Sequence, residues 1–275
     1  MIQRQAFFLT AEKGQRFCIF TPSLQQPARA AVLYLHPFAE ELNKSRRMVA
    51  LQVRALAAAG FDVLQIDLFG CGDSSGDFAD ANWADWLADG QLALDWLREN
   101  SRGRLWLWGV RCGALLASDI ARRQGSETSL LFWQPVLSGA NVVRDFLRLG
   151  VAGELMSGQG KEKLSDMRSR LAAGRTIEVA GYGLSAAMAD QLSSVSLACG
   201  SDGRSKSVFW LDIGSATQLS PPPAAKAALE QLQAAGTAVR YRAMPGAPFW
   251  QTSEIELVPA LIGETVALMT GSENA

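Results

Sequence analysis

Hydrophobic positions occur along the chain in short runs that alternate with stretches of helical periodicity. Apolar runs bounded by turn residues predict buried strands at residues 31–35, 61–67, 104–108, 129–133, 206–211 and 238–243. Between these runs, apolar residues at helical spacing predict helices at 46–60, 82–97, 114–123, 222–235 and 257–270. At the start of the chain, alternating residues 3–9 and 16–21 flank a polar turn and predict an antiparallel hairpin.

The alternation of strands and helices predicts an α/β fold with a mostly parallel central sheet and helices on both faces. The alternation stops between about residues 138 and 200, where the chain is polar and helical in pattern. We interpret this stretch as a helical lid inserted over the carboxyl ends of the strands. The sequence thus predicts a single domain over residues 1–275 that carries one inserted lid.

Composition and charge exclude several classes of partner. Of the 275 residues, 48% are hydrophobic, which is enough for a large core, and the formal net charge is -1. That charge gives no reason to expect a nucleic-acid partner. The charged N-terminal stretch does not resemble a signal peptide, and no segment approaches the roughly 18 apolar residues of a membrane span. We therefore expect a cytoplasmic protein with no transmembrane segment.

Cysteine and histidine usage argues against a disulfide framework or a metal site. The cysteines are Cys18, Cys71, Cys112 and Cys199, widely spaced and without a CxxC pair. His36 is the sole histidine of the sequence. We expect reduced thiols, no metal and no cofactor.

Four segments resemble parts of the α/β-hydrolase superfamily, in the order and spacing of that fold. Residues 34–41 (YLHPFAEE) resemble its oxyanion loop, and residues 67–78 (DLFGCGDSSGDF) resemble the turn after its fourth strand. Residues 106–117 (WLWGVRCGALLA) stand where its GxSxG nucleophile elbow belongs. Residues 240–250 (RYRAMPGAPFW) resemble the segment that ends in its catalytic histidine. The resemblance implies an α/β-hydrolase fold.

A narrower resemblance is carried by HPFAEELNKSRRM, IDLFGCGDSSGDF and PGAPFW. These segments look like the exosortase A system-associated hydrolase 2 family, which occurs in bacteria with PEP-CTERM sorting and exopolysaccharide loci. The resemblance implies components of the exosortase and exopolysaccharide system as partners.

The positions of the serine-hydrolase triad depart from the family pattern. Arg111 stands at the nucleophile position between Gly109 and Gly113, and a guanidinium stays protonated and cannot attack a carbonyl. The segment of residues 247–250 contains no proton-transfer group where the histidine is expected. The acid is also missing, because Asp212 comes early and the usual site falls near residues 216 and 217, an alanine and a threonine. We predict that a Ser-His-Asp mechanism is absent.

Two further interpretations of the elbow stay open. Cys112 lies at a helix N-terminus beside Arg111, two features that lower a thiol pKa, and His36 is the one histidine able to activate it. Alternatively, His36 bonds only to the backbone and shapes its loop. Glu40 and Glu41 lie close in sequence to this loop, and their candidate partners are Arg111, Arg46 and Arg47.

These residues lead to three hypotheses of function. In the first, a helix N-terminus and the Arg111 cation form a pocket for an anionic or acyl ligand, such as a sugar or lipid-linked intermediate with an acidic group. In the second, the protein is a hydrolase or acyl transferase that uses Cys112 or another non-serine mechanism. In the third, it is a protein-interaction scaffold that binds through its lid. The predicted pocket residues are His36, Pro37, Phe38, Glu41, Arg111, Cys112, Phe249 and Trp250.

Overall fold

The computed structural model describes residues 4–124, 128–157, 163–197, 207–215 and 219–271. Its strands are β1 (Gln5–Ala11), β2 (Gly14–Thr21), β3 (Ala30–Leu35), β4 (Phe61–Ile66), β5 (Arg104–Val110), β6 (Ser129–Trp133), β7 (Ile177–Val179), β8 (Tyr182–Leu184), β9 (Ser207–Gly214) and β10 (Ala238–Pro245). Its helices are α1 (Glu40–Ala58), α2 (Trp83–Asn100), α3 (Cys112–Gln124), α4 (Gly139–Ser157), α5 (Leu164–Ala172), α6 (Ala186–Ser193), α7 (Pro223–Ala234) and α8 (Pro259–Gly271). A short 3₁₀ turn occupies Phe78–Asp80.

The large sheet has the strand order β1-β2-β4-β3-β5-β6-β9-β10. β1 pairs with β2, and β2 with β4, in antiparallel register, whereas the pairs from β4 to β10 are parallel. The predicted hairpin and the mostly parallel sheet are therefore confirmed. β3 and β5 lie in the middle of the order, so the loops that follow them meet at the centre of the sheet's carboxyl edge.

Helices cover both faces of this sheet. Leu33 and Leu35 of β3 point to one face and pack in the cluster that includes α2 and α3. Val32 and Tyr34 alternate to the other face and pack in the cluster that includes α1 and α8. All residues of β3 and β6 are buried, which explains why both read as continuous hydrophobic runs in the sequence.

The first helix differs from its prediction in a way that matters for the site. α1 begins at Glu40, whereas apolar periodicity placed its start at residue 46. The first turn holds Glu40 and Glu41, which stabilise a helix N-terminus through its dipole although they add nothing to the apolar pattern. Both glutamates are thus helical rather than part of the preceding loop.

The segment between β6 and β9 contains α4, α5, the antiparallel pair β7–β8 and α6. The sequence predicted helices here and missed this small pair of strands, which are too short to give an alternating pattern. Within the described part of the chain, no helix combines the length and the apolar character needed to cross a membrane.

A buried ion pair fastens the hairpin to the helical layer. The Nε atom of Arg16 lies 2.6 Å from Oδ1 of Asp89 on α2, and both side chains are almost fully buried. The second oxygen of Asp89 accepts the backbone N–H of Phe69 at 2.7 Å, and the Arg16 guanidinium lies over the Phe69 ring. β2, α2 and the turn after β4 are therefore held by one carboxylate.

We predict that Arg16→Met lowers the free energy of unfolding by about 3–5 kcal/mol, because it leaves the Asp89 carboxylate buried without its cation. Lys13→Met is the matched control, since Lys13 pairs with Asp85 from a side chain that is 48% exposed. That exposed pair is worth roughly 1 kcal/mol or less. Denaturant unfolding measures the free energy of unfolding of both variants. Equal losses for Arg16→Met and Lys13→Met would contradict the assignment of a stabilising buried ion pair.

Candidate functional site

A sharp turn at Arg111 joins the central strand β5 to α3. Arg111 has a φ of 54°, a left-handed conformation that a non-glycine residue rarely adopts. A Cβ on Gly109 would lie 2.4 Å from the backbone of Ala114, and one on Gly113 would lie 2.2 Å from the carbonyl oxygen of Leu35. The two glycines therefore permit close packing of helix on strand, and this is the elbow geometry of a hydrolase nucleophile.

Backbone hydrogen bonds hold the elbow in this strained conformation. The N–H of Arg111 donates to the carbonyl of Trp133 at 3.0 Å, and the N–H of Ala114 donates to the carbonyl of Arg111 at 3.1 Å. A residue held at such a φ costs of order 1–3 kcal/mol, and strain of this kind concentrates at functional sites. Residue 111 is thereby presented at the centre of the sheet's carboxyl edge.

The Arg111 side chain is held by an anion and an aromatic ring. Its Nε lies 3.2 Å from Oε1 of Glu41, and the two side chains are 17% and 15% exposed. Its guanidinium carbon lies 5.1 Å from the centre of the Trp250 ring, in the loop that follows β10. The structure thus selects Glu41 as the partner of Arg111. The two terminal nitrogens of Arg111 have no hydrogen-bond partner among the described residues.

Glu41 titrates far from its ordinary range. Burial raises its pKa from 4.5 to about 7, the attraction of Arg111 offsets part of that rise, and the neighbouring Glu40 adds to it. Near neutral pH, Glu41 therefore exchanges between a charged form that neutralises Arg111 and an uncharged form that does not.

A cavity of about 370 Å³, which we call the elbow cavity, opens beside the turn at Arg111. The elbow, the start of α1 and α4 all contribute to its lining. The full lining consists of Phe38, Glu40, Glu41, Lys44, Arg111, Cys112, Val136, Val142, Asp145, Phe146, Arg148, Leu149 and Gln251. Cations and carboxylates are equally frequent in this set, and apolar side chains provide much of the remaining wall. Its volume falls within the usual range of small-molecule sites.

The structure brings together part of the predicted pocket. Four of the predicted pocket residues, Phe38, Glu41, Arg111 and Cys112, line the cavity. Pro37 is buried, Phe249 and Trp250 are buried behind the site, and none of the three lines it, although Trp250 touches Arg111.

Several lining residues were missed by the sequence analysis. They come from the first turns of α1 and from α4, and they include Lys44, Val142, Asp145, Phe146 and Arg148. A signal for α4 was present, because residues 142, 146 and 149 recur at helical spacing and are hydrophobic. The periodicity does not show which other element the apolar face of α4 contacts.

Both ring nitrogens of His36 form hydrogen bonds with the backbone. Its Nε2 accepts the N–H of Leu68 at 3.3 Å, and its Nδ1 lies 2.8 Å from the carbonyl oxygen of Pro37, so the neutral tautomer with the proton on Nδ1 fits both contacts. Burial lowers its pKa and keeps the ring neutral. His36 does not line the elbow cavity. This geometry favours the interpretation that His36 shapes its loop.

Cys112 does not have the activated environment that its position suggested. The residue is 2% exposed, and burial raises the pKa of its thiol, as does the nearby Glu41. The opposing effect of Arg111 is smaller. The expectation of a lowered thiol pKa was wrong, because desolvation outweighs the adjacent cation.

Asp212, at the end of β9, is held by two aromatic donors. Its carboxylate accepts Nε1–H of Trp210 at 2.9 Å and the hydroxyl of Tyr241 at 3.2 Å. Burial raises its pKa. The loop positions 216 and 217, where the sequence analysis placed the usual acid, lie outside the described residues.

Comparison with known proteins assigns the family. The family model described as serine aminopeptidase, S33, matches residues 26–175, which is more than half of the chain. The chain belongs to this hydrolase family. A search of curated proteins gives no match.

Solved structures show the same fold at low identity. Est1E from Butyrivibrio proteoclasticus, with ferulic acid bound, has a TM-score of 0.72 at 16% identity, and the match covers 98% of this chain and 99% of that chain. A thermostable carboxyl esterase from Bacillus coagulans has a TM-score of 0.64 at 14% identity, and the match covers 98% of this chain and 99% of that chain. A serine hydrolase without a lid from Xanthomonas campestris has a TM-score of 0.54 at 16% identity, and the match covers 98% of this chain and 92% of that chain. The α/β-hydrolase fold predicted from the sequence is confirmed.

We predict that Glu41 makes the stability of the protein depend on pH in an unusual direction. Its pKa is higher in the folded state, so the stabilisation is complete below about 4.5 and is lost as the pH rises through about 7. Relative to Glu41→Gln, the free energy of unfolding of the native protein should fall by about 3 kcal/mol between these two pH values. Melts of both proteins at several pH values measure the difference. Glu99→Gln on the exposed end of α2 is the control, and a pH-independent difference for Glu41→Gln would refute the assignment.

Proposed function

We propose that this hydrolase-fold protein binds a small acidic acyl compound in the elbow cavity and lacks a working Ser-His-Asp triad. The observation that carries the proposal is Arg111, which stands on the nucleophile elbow and lines the cavity. A guanidinium at this position cannot act as a nucleophile, but its terminal nitrogens can bind a carboxylate through two parallel hydrogen bonds.

The cavity supports an acyl ligand as well as an acid. Apolar side chains share the cavity lining with Arg111, namely Phe38, Val136, Val142, Phe146 and Leu149. Est1E, which has a similar fold, is described with ferulic acid bound, and ferulic acid is an aromatic carboxylic acid. An acyl body against the apolar wall and a carboxylate on Arg111 would fit this arrangement.

The resemblance to the exosortase A system-associated hydrolase 2 family supports a narrower proposal. Three segments carry that resemblance, and two of them, residues 36–48 and 245–250, supply the Arg111 partners Glu41 and Trp250. We therefore propose an accessory role in the exosortase and exopolysaccharide system, in the cytoplasm, with an acyl or lipid-linked intermediate as the ligand.

This proposal is preferred over the two alternatives on geometric grounds. A Cys112 nucleophile needs a base, and both ring nitrogens of His36 are engaged by the backbone. A pure interaction scaffold needs no ligand site, whereas the elbow opens on a cavity of about 370 Å³.

We predict that ferulate binds the native protein and that Arg111→Met weakens this binding at least tenfold, because charge-assisted hydrogen bonds are lost. Isothermal titration calorimetry at pH 7 measures the affinity, and product analysis should find methyl ferulate unhydrolysed. Arg54→Met, on the exposed side of α1, is the matched control and should bind as the native protein does.

A second variant guards against loss of the fold. Arg111→Met alone leaves the half-buried Glu41 carboxylate without its cation. The double variant Arg111→Met/Glu41→Gln therefore removes both charges together. It should melt cooperatively and still fail to bind ferulate. Undiminished ferulate binding by the double variant, or turnover of methyl ferulate, would overturn the proposal.

A further inference from the structure

A second cavity lies on the α1 face of the sheet and shares no lining residue with the elbow cavity. Its volume is about 200 Å³, and it lies between β2, β4, the end of β3 and α1. Its lining consists of Arg4, Phe17, Ile19, Tyr34, His36, Leu42, Arg46, Val49, Ala50, Gln65, Ile66 and Asp67. Since a water molecule takes about 30 Å³ of liquid, the space corresponds to roughly seven waters, or to one very small organic molecule.

The register of the sheet brings two neutral polar side chains together on the floor of this cavity. Tyr34 pairs with Gln65 across β3 and β4, so both side chains stand side by side on the face that α1 covers. Tyr34 is only 6% exposed, yet among the described residues its hydroxyl has no hydrogen-bond partner, and the same holds for the Gln65 amide. Neither group belongs to the fully buried polar atoms without a partner, so both are accessible from the cavity to water or to a ligand.

Opposite charges flank these two groups. Arg46, an exposed residue of α1, donates its Nε–H to Oδ1 of Asn43 at 3.0 Å, and its two terminal nitrogens have no protein partner among the described residues, so they are open to solvent or to a ligand. Asp67 follows β4 and accepts the N–H of Asp73 through Oδ2, which leaves Oδ1 without a donor in the described part of the chain. Burial raises the pKa of Tyr34, and Arg46 and Asp67 act on it in opposite directions, so both charges lie near its hydroxyl.

We propose that this cavity is a binding site for a small α-amino acid with a branched apolar side chain. The carboxylate would bind Arg46 and the Tyr34 hydroxyl, the ammonium group would bind Asp67, and the side chain would contact Phe17, Ile19, Leu42 and Val49. A zwitterion fits because the cavity presents cations, at Arg4 and Arg46, and the Asp67 carboxylate together with an apolar wall. His36 lines this cavity and continues into the loop that holds Phe38, so a ligand here would touch the segment that borders the elbow cavity.

Calorimetry with L-valine, isovalerate and isobutylamine tests the proposal, because the two analogues lack the amino group and the carboxylate respectively. L-Valine should bind at least tenfold more tightly than either analogue. Arg46→Met should weaken L-valine binding at least tenfold, and Tyr34→Phe, which removes only the unpartnered hydroxyl, at least threefold. The matched control is Arg47→Met, on the adjacent exposed position of α1, which should bind L-valine as the native protein does.

Arg111→Met separates this site from the elbow cavity, since it should leave L-valine binding unchanged. The melting temperature of Tyr34→Phe without ligand should not fall, because the hydroxyl has no partner to lose. The inference is overturned if L-valine does not bind at millimolar concentration, if isovalerate binds equally well, or if Arg46→Met retains the native affinity. Loss of binding in Arg111→Met together with retention in Arg46→Met would instead place the ligand at the elbow.

Discussion

The ion pair between Arg111 and Glu41 is the interaction on which the site depends. Gly109 and Gly113 permit close packing of α3 on the sheet, and residue 111 between them adopts a left-handed conformation at the centre of the sheet's carboxyl edge. A cation presented there would be costly without a counter-ion. α1 begins early enough to supply Glu41, and the loop after β10 adds the Trp250 ring. Three separate elements therefore converge to accommodate one arginine.

This arrangement changes what the fold can do. The elbow of a serine hydrolase presents a nucleophile to a substrate carbonyl. Here the same geometry presents a planar cation that lines a partly apolar cavity. The charge of that cation is only partly available, because Glu41 competes with any acidic ligand for it. The raised pKa of Glu41 sets this competition near neutral pH.

Much of the fold could be predicted because its parallel strands are buried on both faces and read as continuous hydrophobic runs. β6 was predicted with its observed bounds, and the position of Arg111 followed from the flanking glycines. The start of α1 could not be predicted from periodicity, since its first turn is acidic. The thiol of Cys112 was misjudged because burial is a tertiary property. The contribution of α4 to the cavity was missed for the same reason.

The central claim is that Arg111 replaces the nucleophile and leaves no activated serine. Intact-mass spectrometry after treatment of the native protein with a fluorophosphonate tests it most directly, with an active serine hydrolase of the same fold as the positive control. We predict no covalent adduct on this protein under conditions that label the control completely. A stoichiometric adduct mapped to any serine would contradict the account.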